Sequence, residues 1–233
     1  MDGLVVRIGA VAGWISLIGV LVVLLILPTL IAGQPVSATV DEARIRAYFA
    51  HPELAPLLGL FAPFLSVAFV TFGLALRETL GDRPRAHLYA TAGMAFLLVT
   101  TALYVTQGAL AATLITLATT GGGEIVPVFR FYDVLYNNAA DVLEGTWILG
   151  FSLAMLKSST FPSWIGWVGV VVAVSRWAKA FAPFTGAFPD AILALLGVLL
   201  FVWLGATVIQ LTRLARTVAK NQTPTASAMA ASG

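Results

Sequence analysis

Two acidic and two basic residues lie in apolar stretches of this chain, where charged side chains are costly. Asp141 and Glu144 are three residues apart, and Arg176 and Lys179 repeat that spacing further along. In a helix this spacing places each pair on one face. An ionised side chain that faces lipid costs at least about 2.5–3.5 kcal/mol. The two pairs therefore predict either ion pairs between helices or a polar pocket for an ion, a lipid head group or another ligand.

The acidic pair belongs to a longer polar stripe. At about 100° per residue, five polar residues fall within roughly 80° of one helix face. They are Arg130, Asp133, Asn137, Asp141 and Glu144. Such a stripe faces protein or water rather than lipid, so we treat all five as candidate site residues.

The acidic and basic pairs are predicted to lie at the same depth. At ~1.5 Å per residue, Glu144 and Arg176 each lie about 20 Å from the connector at 158–161. Because this connector is short, the two helices should be antiparallel neighbours. We predict that Glu144 approaches Arg176 and that Asp141 approaches Lys179 near the outer surface. Two roles stay open, a brace between helices and the lining of an outward-facing pocket.

Three further residues are candidate contributors to this site. Tyr104 and Gln107 share a helix face with Thr100, at spacings of four and seven residues. Polar residues at such positions usually make hydrogen bonds between helices. His51 begins another helix on the same outer side, where the alternative is a solvated residue at a helix start.

The composition indicates the solvent in which these helices lie. Of the 233 residues, 59% are hydrophobic and 10% are charged, whereas a soluble domain has about 25% charged residues. The net charge of +2 does not indicate a nucleic-acid partner. We therefore expect a polytopic protein whose partner is the lipid bilayer.

Six stretches are long and apolar enough to span a bilayer, which takes about 20 residues. They cover residues 4–31, 54–76, 86–118, 127–156, 162–181 and 189–211. The first is too long for a signal peptide and is expected to be retained. We predict an all-α bundle of six transmembrane helices in one domain over residues 1–220, with a disordered cytoplasmic tail at 221–233.

The charges on the two sides of these spans predict the orientation. The side of the N-terminus has eight Lys or Arg residues and three acidic residues. The other side has five Lys or Arg residues and eight acidic residues. The resulting net charges are +5 and −3. Because positive charge favours the cytoplasm, both termini are expected to be cytoplasmic.

A short helix is predicted between the first two spans. Thr39 and Glu42 have the spacing of a capping box, and apolar residues follow at helical intervals. We predict a helix over 39–50 on the outer interface. Its role as a spacer or as a lid over an outer cavity is left open.

Catalytic and metal-binding motifs are absent from the sequence. It contains no Cys, no His-Glu-x-x-His and no Gly-x-Ser-x-Gly. The two histidines, His51 and His87, fall at opposite ends of the predicted bundle, which excludes a haem held by both. We therefore expect a protein that is not an enzyme and that has no metal or cofactor.

Glycines on two spans suggest close helix packing. Gly9 and Gly13 form Gly-x-x-x-Gly, and Gly166 and Gly169 lie near the start of the fifth span. These faces suit contacts within the chain or with another membrane protein. The first function we consider is accordingly a partner-binding or lipid-binding accessory subunit. The alternative is a small carrier or ligand-binding protein with a charged pocket between the fourth and fifth spans.

The start of the fifth span carries a resemblance to a known family. The run Phe-Pro-Ser-Trp-Ile-Gly-Trp-Val-Gly at 161–169 opens a penultimate helix in a six-helix chain. In this it resembles the bacterial membrane family called domain of unknown function 4386. The resemblance implies six helices and a bacterial plasma-membrane location, and it implies no activity or site residues.

Overall fold

The computed structural model describes residues 3–22, 41–185 and 190–222. These residues form eight α-helices: α1 (Gly3–Leu21), α2 (Glu42–Phe49), α3 (Ala55–Leu80), α4 (Pro84–Thr120), α5 (Ile125–Val134), α6 (Ala140–Lys157), α7 (Ser163–Thr185) and α8 (Asp190–Gln222). A 3-10 turn (Pro52–Leu54) precedes α3, and a π-helical turn (Leu135–Ala139) joins α5 to α6. The predicted all-α fold is confirmed.

Local sequence signals explain several helix boundaries. α4 begins at Pro84, where the missing N–H costs nothing, and ends before Gly121, whose φ of 68° is left-handed. The N-cap of α2 is Asp41, which accepts a hydrogen bond from the Arg44 N–H at 2.8 Å. This corrects the predicted cap at Thr39, a residue that lies outside the described ranges.

The predicted spans fall on helix wherever the structure describes them, to within a residue at their ends. Among the described residues, four segments are long and apolar enough to cross a membrane, namely Gly3–Leu21, Leu60–Leu80, Pro84–Thr120 and Gly197–Asn221. The predicted spans at 127–156 and 162–181 carry the charged residues, which lower their apolarity. Asn221 and Gln222 belong to α8, so the predicted tail starts too early. Residues 223–233 lie outside the described ranges.

The long helices form a closed ring. α4 packs between α3 and α6, α6 packs on α7, α8 packs between α7 and α1, and α1 closes the ring against α3. Large side chains from several of these helices meet in one buried core, which includes Phe72, Leu97, Trp147, Phe151 and Trp203. The ring brings residues that are far apart in sequence to a common centre.

Glycines set the closest approaches in this ring. A Cβ atom on Gly150 would lie 2.6 Å from the Gly93 Cα atom, so α4 and α6 touch through their backbones. A Cβ atom on Gly145 would lie 2.7 Å from the Ala173 carbonyl oxygen, where α6 crosses α7. Small residues of this kind are what close helix packing in a membrane requires.

The four glycines considered as a partner surface face helices of the same chain. Gly9 and Gly13 of α1 meet α3, and Gly13 also meets α8. Gly166 and Gly169 of α7 meet α6, and Gly169 also meets Trp203 of α8. All four are buried. Of the two roles considered for these glycines, contact within the chain is the one that the described residues show.

The short connections on the predicted cytoplasmic side meet at one end of the ring. Asp82, between α3 and α4, accepts hydrogen bonds at Oδ2 from the Ser159 N–H (3.0 Å) and hydroxyl (2.8 Å), between α6 and α7. Gln210 of α8 donates to the Thr160 carbonyl oxygen at 3.2 Å. The pair α3 and α4, the pair α6 and α7, and the helix α8 are thus tied together at this end.

The Asp82 link should make stability depend on pH. Partial burial raises the pKa of Asp82, but hydrogen bonds from Ser159 and Ser158 and the charge of Arg83 outweigh it, so the net pKa is lowered. A lowered folded-state pKa stabilises the fold above the unfolded value of about 3.9, and this contribution is lost as the pH falls through the folded value. Asp82→Asn should therefore destabilise at pH 7, by under about 1 kcal/mol because the group is mostly exposed.

Chemical unfolding of wild type and Asp82→Asn at pH 7 and near pH 3 tests this link. We expect the difference between the two free energies of unfolding to shrink near pH 3, because this pH lies below the unfolded pKa of about 3.9, where the contribution of the carboxylate is being lost. A difference of the same size at both pH values would contradict the assignment.

At the opposite end of the ring, α2 packs on α4 and α5. Ile45 and Phe49 are buried there in a second apolar cluster. Arg46 donates hydrogen bonds to the carbonyl oxygens of Leu117 (2.7 Å) and Gly123 (3.2 Å), at the end of α4 and in the connection to α5. The short helix is thus held to the bundle by both apolar and polar contacts.

Candidate functional site

The tight crossing of α6 and α7 positions the charged residues. Gly145 lets the backbone of α7 approach, and Trp177 Nε1 donates to the Val142 carbonyl oxygen at 3.1 Å across the same crossing. Asp141 and Glu144 lie within about one turn of Gly145, opposite Arg176 on α7. The small residue at the crossing therefore brings acidic and basic side chains within contact distance.

The charged side chains form one connected network. One carboxylate oxygen of Asp141 lies 2.8 Å from Arg176 Nη1, and the other lies 2.7 Å from Lys179 Nζ. Glu144 Oε2 lies 3.1 Å from Arg176 Nε, although this contact lacks hydrogen-bond alignment. Both pairs predicted from the sequence are present. The contact between Asp141 and Arg176 is additional, and it places Arg176 between the two carboxylates.

This charged cluster, Asp141, Glu144, Arg176 and Lys179, contains two negative and two positive groups. Asp141 is only 2% exposed, whereas the Lys179 side chain is 33% exposed. Buried charges of opposite sign make each other tolerable where water is scarce, provided that each is paired. The cluster therefore has no net charge, and each cation already has an acidic partner.

Tyr104 joins the charged cluster from α4. Its hydroxyl donates a hydrogen bond to Glu144 Oε1. This contact crosses the interface that Gly93 and Gly150 hold together, so three helices converge on the cluster. Tyr104 was a candidate contributor from its helical spacing, and the structure brings it to the site.

A cavity of about 260 Å³ opens beside the charged cluster at the centre of the ring. Its wall includes side chains from α1, α3, α4, α5, α6, α7 and α8. Most are apolar, and they include Val20, Phe61, Leu65, Phe69, Ala111, Ala140, Leu200 and Leu204. The polar part of the wall consists of the charged cluster with Ser66, Tyr104, Gln107, Tyr132, Tyr136 and Trp147. A mostly apolar cavity with a few polar groups is the usual form of a small-molecule site.

Two side-chain nitrogens of residues in this wall lack hydrogen-bond partners among the described residues. Gln107 is 7% exposed and Trp147 is 4% exposed. Neither Gln107 Nε2 nor Trp147 Nε1 has a hydrogen-bond partner among the residues described. Both nitrogens are buried from solvent, so each carries the cost of an unsatisfied donor, about 1–3 kcal/mol.

Four of the predicted site residues are not shown at the cavity. The Arg130 side chain is exposed, and neither Arg130 nor Asp133 contributes to the cavity wall. His51 lies outside the cavity, with Nδ1 3.1 Å from Glu53 Oε1. The side chain of Asn137 lies outside the described part of the structure. Of the predicted stripe, the acidic pair contributes to the cavity wall, whereas Arg130 and Asp133 do not.

The π-helical turn explains why the stripe breaks. A π turn closes its hydrogen bonds at five residues instead of four, so it inserts one residue and rotates α5 by about 100° relative to α6. The prediction assumed a uniform α-helix from Arg130 to Glu144. With the inserted residue, Arg130 turns away from the face of Glu144 and Tyr132 turns toward it.

The residues missed by the sequence analysis lie in or beside this turn. The rings of Tyr132 and Tyr136 stack with centroids 5.9 Å apart, and both contribute to the cavity wall. Asn138 Nδ2 donates to the Ala180 carbonyl oxygen at 3.0 Å and fastens the turn to α7. A polar pair inside an apolar helix, Asn137-Asn138, was the available signal that regular α-helix is interrupted there.

Both carboxylates of the charged cluster are engaged by cations. Within residues 3–22, 41–185 and 190–222, no group of three His, Cys, Asp or Glu side chains could hold a metal ion. The resemblance to domain of unknown function 4386 stays a prediction. No protein-family profile, no curated protein and no solved structure matches this chain.

Proposed function

We propose that this protein binds a small, largely apolar molecule inside a bundle of membrane-spanning helices. The central cavity beside the charged cluster is the observation that carries this proposal. Protein interiors are normally close-packed. A space of about 260 Å³ with a mostly apolar wall and a few polar groups, among helices that otherwise pack closely, has the form of a small-molecule site.

The proposal includes six spans with both termini in the cytoplasm, in a bacterial plasma membrane. The net charges of +5 and −3 support this orientation. The hydrogen bonds among Asp82, Ser159, Thr160 and Gln210 support it too, because they join connections predicted on one side. A reporter fused after Lys220 should give a cytoplasmic signal, and an extracytoplasmic signal would overturn the orientation.

Ligand binding is favoured over an accessory role that depends on the glycine faces. Gly9, Gly13, Gly166 and Gly169 are covered within the chain, whereas the cavity is bounded by groups from every long helix. The charged cluster can also brace α6 against α7, and the two roles are compatible. Purification in a mild detergent with a second protein in constant ratio would favour the accessory role instead.

An eight-carbon alkyl diazirine tests the proposed cavity directly. On illumination this apolar probe inserts into nearby bonds, and mass spectrometry locates the labelled residues. We expect saturable labelling of cavity residues such as Phe69, Leu200 and Leu204, at up to one label per chain. Labelling of exposed residues such as Leu60 and Phe64 should rise without saturation.

A filled cavity provides the matched control. Ala111 contributes to the cavity wall and is 6% exposed, so Ala111→Phe should occupy the space and abolish saturable labelling. Ala109, two residues away on α4, is exposed, so Ala109→Phe should leave that labelling intact. Labelling of the wild-type protein only at exposed residues would overturn the proposed function.

A further inference from the structure

We infer that the groove between α1 and α3 binds an anionic phospholipid, with the head-group phosphate at Arg7 and an acyl chain along the groove. This groove shares no wall residue with the central cavity. The inference therefore goes beyond the proposed ligand. It depends on the proposed membrane location of the helices and not on what fills the cavity. Two observations lead to it, the apolar surface of the groove and the unpaired cation at its end.

The groove has the form of a site for a hydrocarbon chain. Gly9 of α1 packs directly on Ala75 of α3, and a space of about 380 Å³ lies open beside this contact. Its floor includes Ala12 and Ala68, which are only 6% and 7% exposed. Larger apolar side chains border this floor and are exposed, namely Val11, Ile15, Phe64 and Val67. Small side chains between larger ones leave an apolar groove that a lipid chain can fill.

Arg7 is the cation at the end of the groove nearest the start of α1. Its side chain is exposed, and no carboxylate pairs with it among the residues described. Glu78, seven positions beyond Thr71 on α3, pairs instead with Arg77 Nη1 at 2.8 Å. Thr71, the other polar residue of the wall, donates its hydroxyl hydrogen to the Val67 carbonyl oxygen at 2.8 Å. Within this wall, Arg7 is therefore the group that can bind an anion.

Neighbouring charge reinforces the preference for an anionic head group. Trp14 Nε1 donates to Thr212 Oγ1 at 3.2 Å, which fixes the register of α1 against α8. At ~1.5 Å per residue, Arg7 and Lys220 each lie about 10–12 Å from this bond toward the predicted cytoplasmic side. Lys220 is also exposed and has no described acidic partner. Basic residues at a membrane surface attract anionic lipids, whereas a zwitterionic head group gains less because it carries its own cation.

A phospholipid fits this surface better than a second copy of the chain. Two copies in one membrane share an orientation, so a symmetric contact through the groove would bring two Arg7 side chains to one depth at the interface. Like charges would then meet without a described carboxylate to pair them. A phospholipid places its single phosphate at the end of a long apolar chain. The guanidinium group suits phosphate because it offers two parallel N–H donors.

Native mass spectrometry measures the selectivity for the head group. Full-length protein in mild detergent receives equal amounts of phosphatidylglycerol and phosphatidylcholine with the same chains, and the ratio of the two bound lipids is measured. The wild type should favour phosphatidylglycerol. Arg7→Gln should lower the ratio about fivefold, which corresponds to ~1 kcal/mol per basic residue near an anionic surface. Arg7→Lys retains the charge and should keep most of the preference.

Arg85 provides the matched control for charge. It is exposed, is predicted on the same side of the membrane and lies outside the wall of the groove. Arg85→Gln should therefore leave the lipid ratio nearly unchanged. An equal loss of selectivity in Arg7→Gln and Arg85→Gln would overturn the inference, because it would show that general surface charge selects the lipid.

A photoactivatable phosphatidylglycerol, with a diazirine in one acyl chain, locates the bound chain in the wild-type protein. In phosphatidylcholine nanodiscs, labels should concentrate on Val11, Phe64 and Val67. Unlabelled phosphatidylglycerol should displace them better than added phosphatidylcholine does. Leu88 of α4 and Val171 of α7 are exposed outside the groove, so their labelling should not be displaced selectively.

The outcomes of this mapping decide the inference without any variant that has to fold. Labelling that simply follows exposure over the whole surface would overturn it, as would equal displacement by the two lipids. A dimer whose contact excludes the lipid probe from the groove would assign a second copy there and would also overturn it. None of these results depends on labelling of the central cavity, so failure of the proposed ligand and failure of this lipid site are distinguishable.

Discussion

Replacement of Asp141 by Asn is expected to destabilise the protein by about 3–5 kcal/mol, the cost of leaving buried charge without its partner. Asp141 is 2% exposed and contacts both Arg176 and Lys179. Asn keeps the shape but removes the charge, so two cations would share the single carboxylate of Glu144. Titration of the purified protein with SDS in mixed micelles, followed by circular dichroism, measures the free energy of unfolding.

A second substitution and an exposed ion pair serve as controls for this prediction. Lys179→Met on the Asp141→Asn background restores the charge balance and should recover part of the lost stability. Glu42 pairs with Arg46 at 2.7 Å, but its side chain is 55% exposed, so Glu42→Gln should cost under about 1 kcal/mol. If Asp141→Asn costs no more than Glu42→Gln, the charged cluster does not stabilise the fold as described.

Replacement of Gly150 by Leu is expected to cost about 3 kcal/mol or more, because overpacking at this position separates α4 from α6. The added Cβ atom alone would lie 2.6 Å from Gly93 Cα and 2.7 Å from Gly93 N, both backbone atoms that cannot move independently. Separation of these helices should also pull Tyr104 away from Glu144. The same SDS titration measures the loss of stability.

Gly205 of α8 provides the matched control for helix packing. A Cβ atom there would meet no described atom within 4 Å, so Gly205→Leu should change the free energy of unfolding by no more than about 1 kcal/mol. Leu is the better helix former, so any change should be toward stability. Equal destabilisation by the two substitutions would show that the contact between Gly93 and Gly150 has no special cost.

The charged cluster illustrates how far local sequence information extends. The partners of Glu144 and Asp141 were predictable because each pair keeps a three-residue spacing and because a short connector makes α6 and α7 neighbours. Both rules act over a few residues or over one pair of adjacent helices. The additional contact between Asp141 and Arg176 depends on side-chain placement at the crossing beside Gly145, which spacing does not determine.

The polar stripe predicted from Arg130 to Glu144 shows the limit of inference from helical spacing. It required one helical period over the whole stretch, and a single π turn was enough to rotate Arg130 away from the site. Such a turn persists because tertiary contacts support it, here the bond from Asn138 to Ala180 and the stacked ring of Tyr136. No periodicity in the sequence indicates these contacts.

By itself, the sequence determined the helical class, the apolar stretches, the partition of charge and the pairing of α6 with α7. These follow from composition, from the helical period and from connector length, which are local properties of the chain. Only the tertiary structure decided that the helices close into a ring, that Gly9, Gly13, Gly166 and Gly169 face other helices of the chain and that a cavity lies beside the charged cluster. Those features depend on contacts between residues far apart in the chain, such as Trp14 with Thr212, 198 positions away, and such contacts arise only when the whole chain packs.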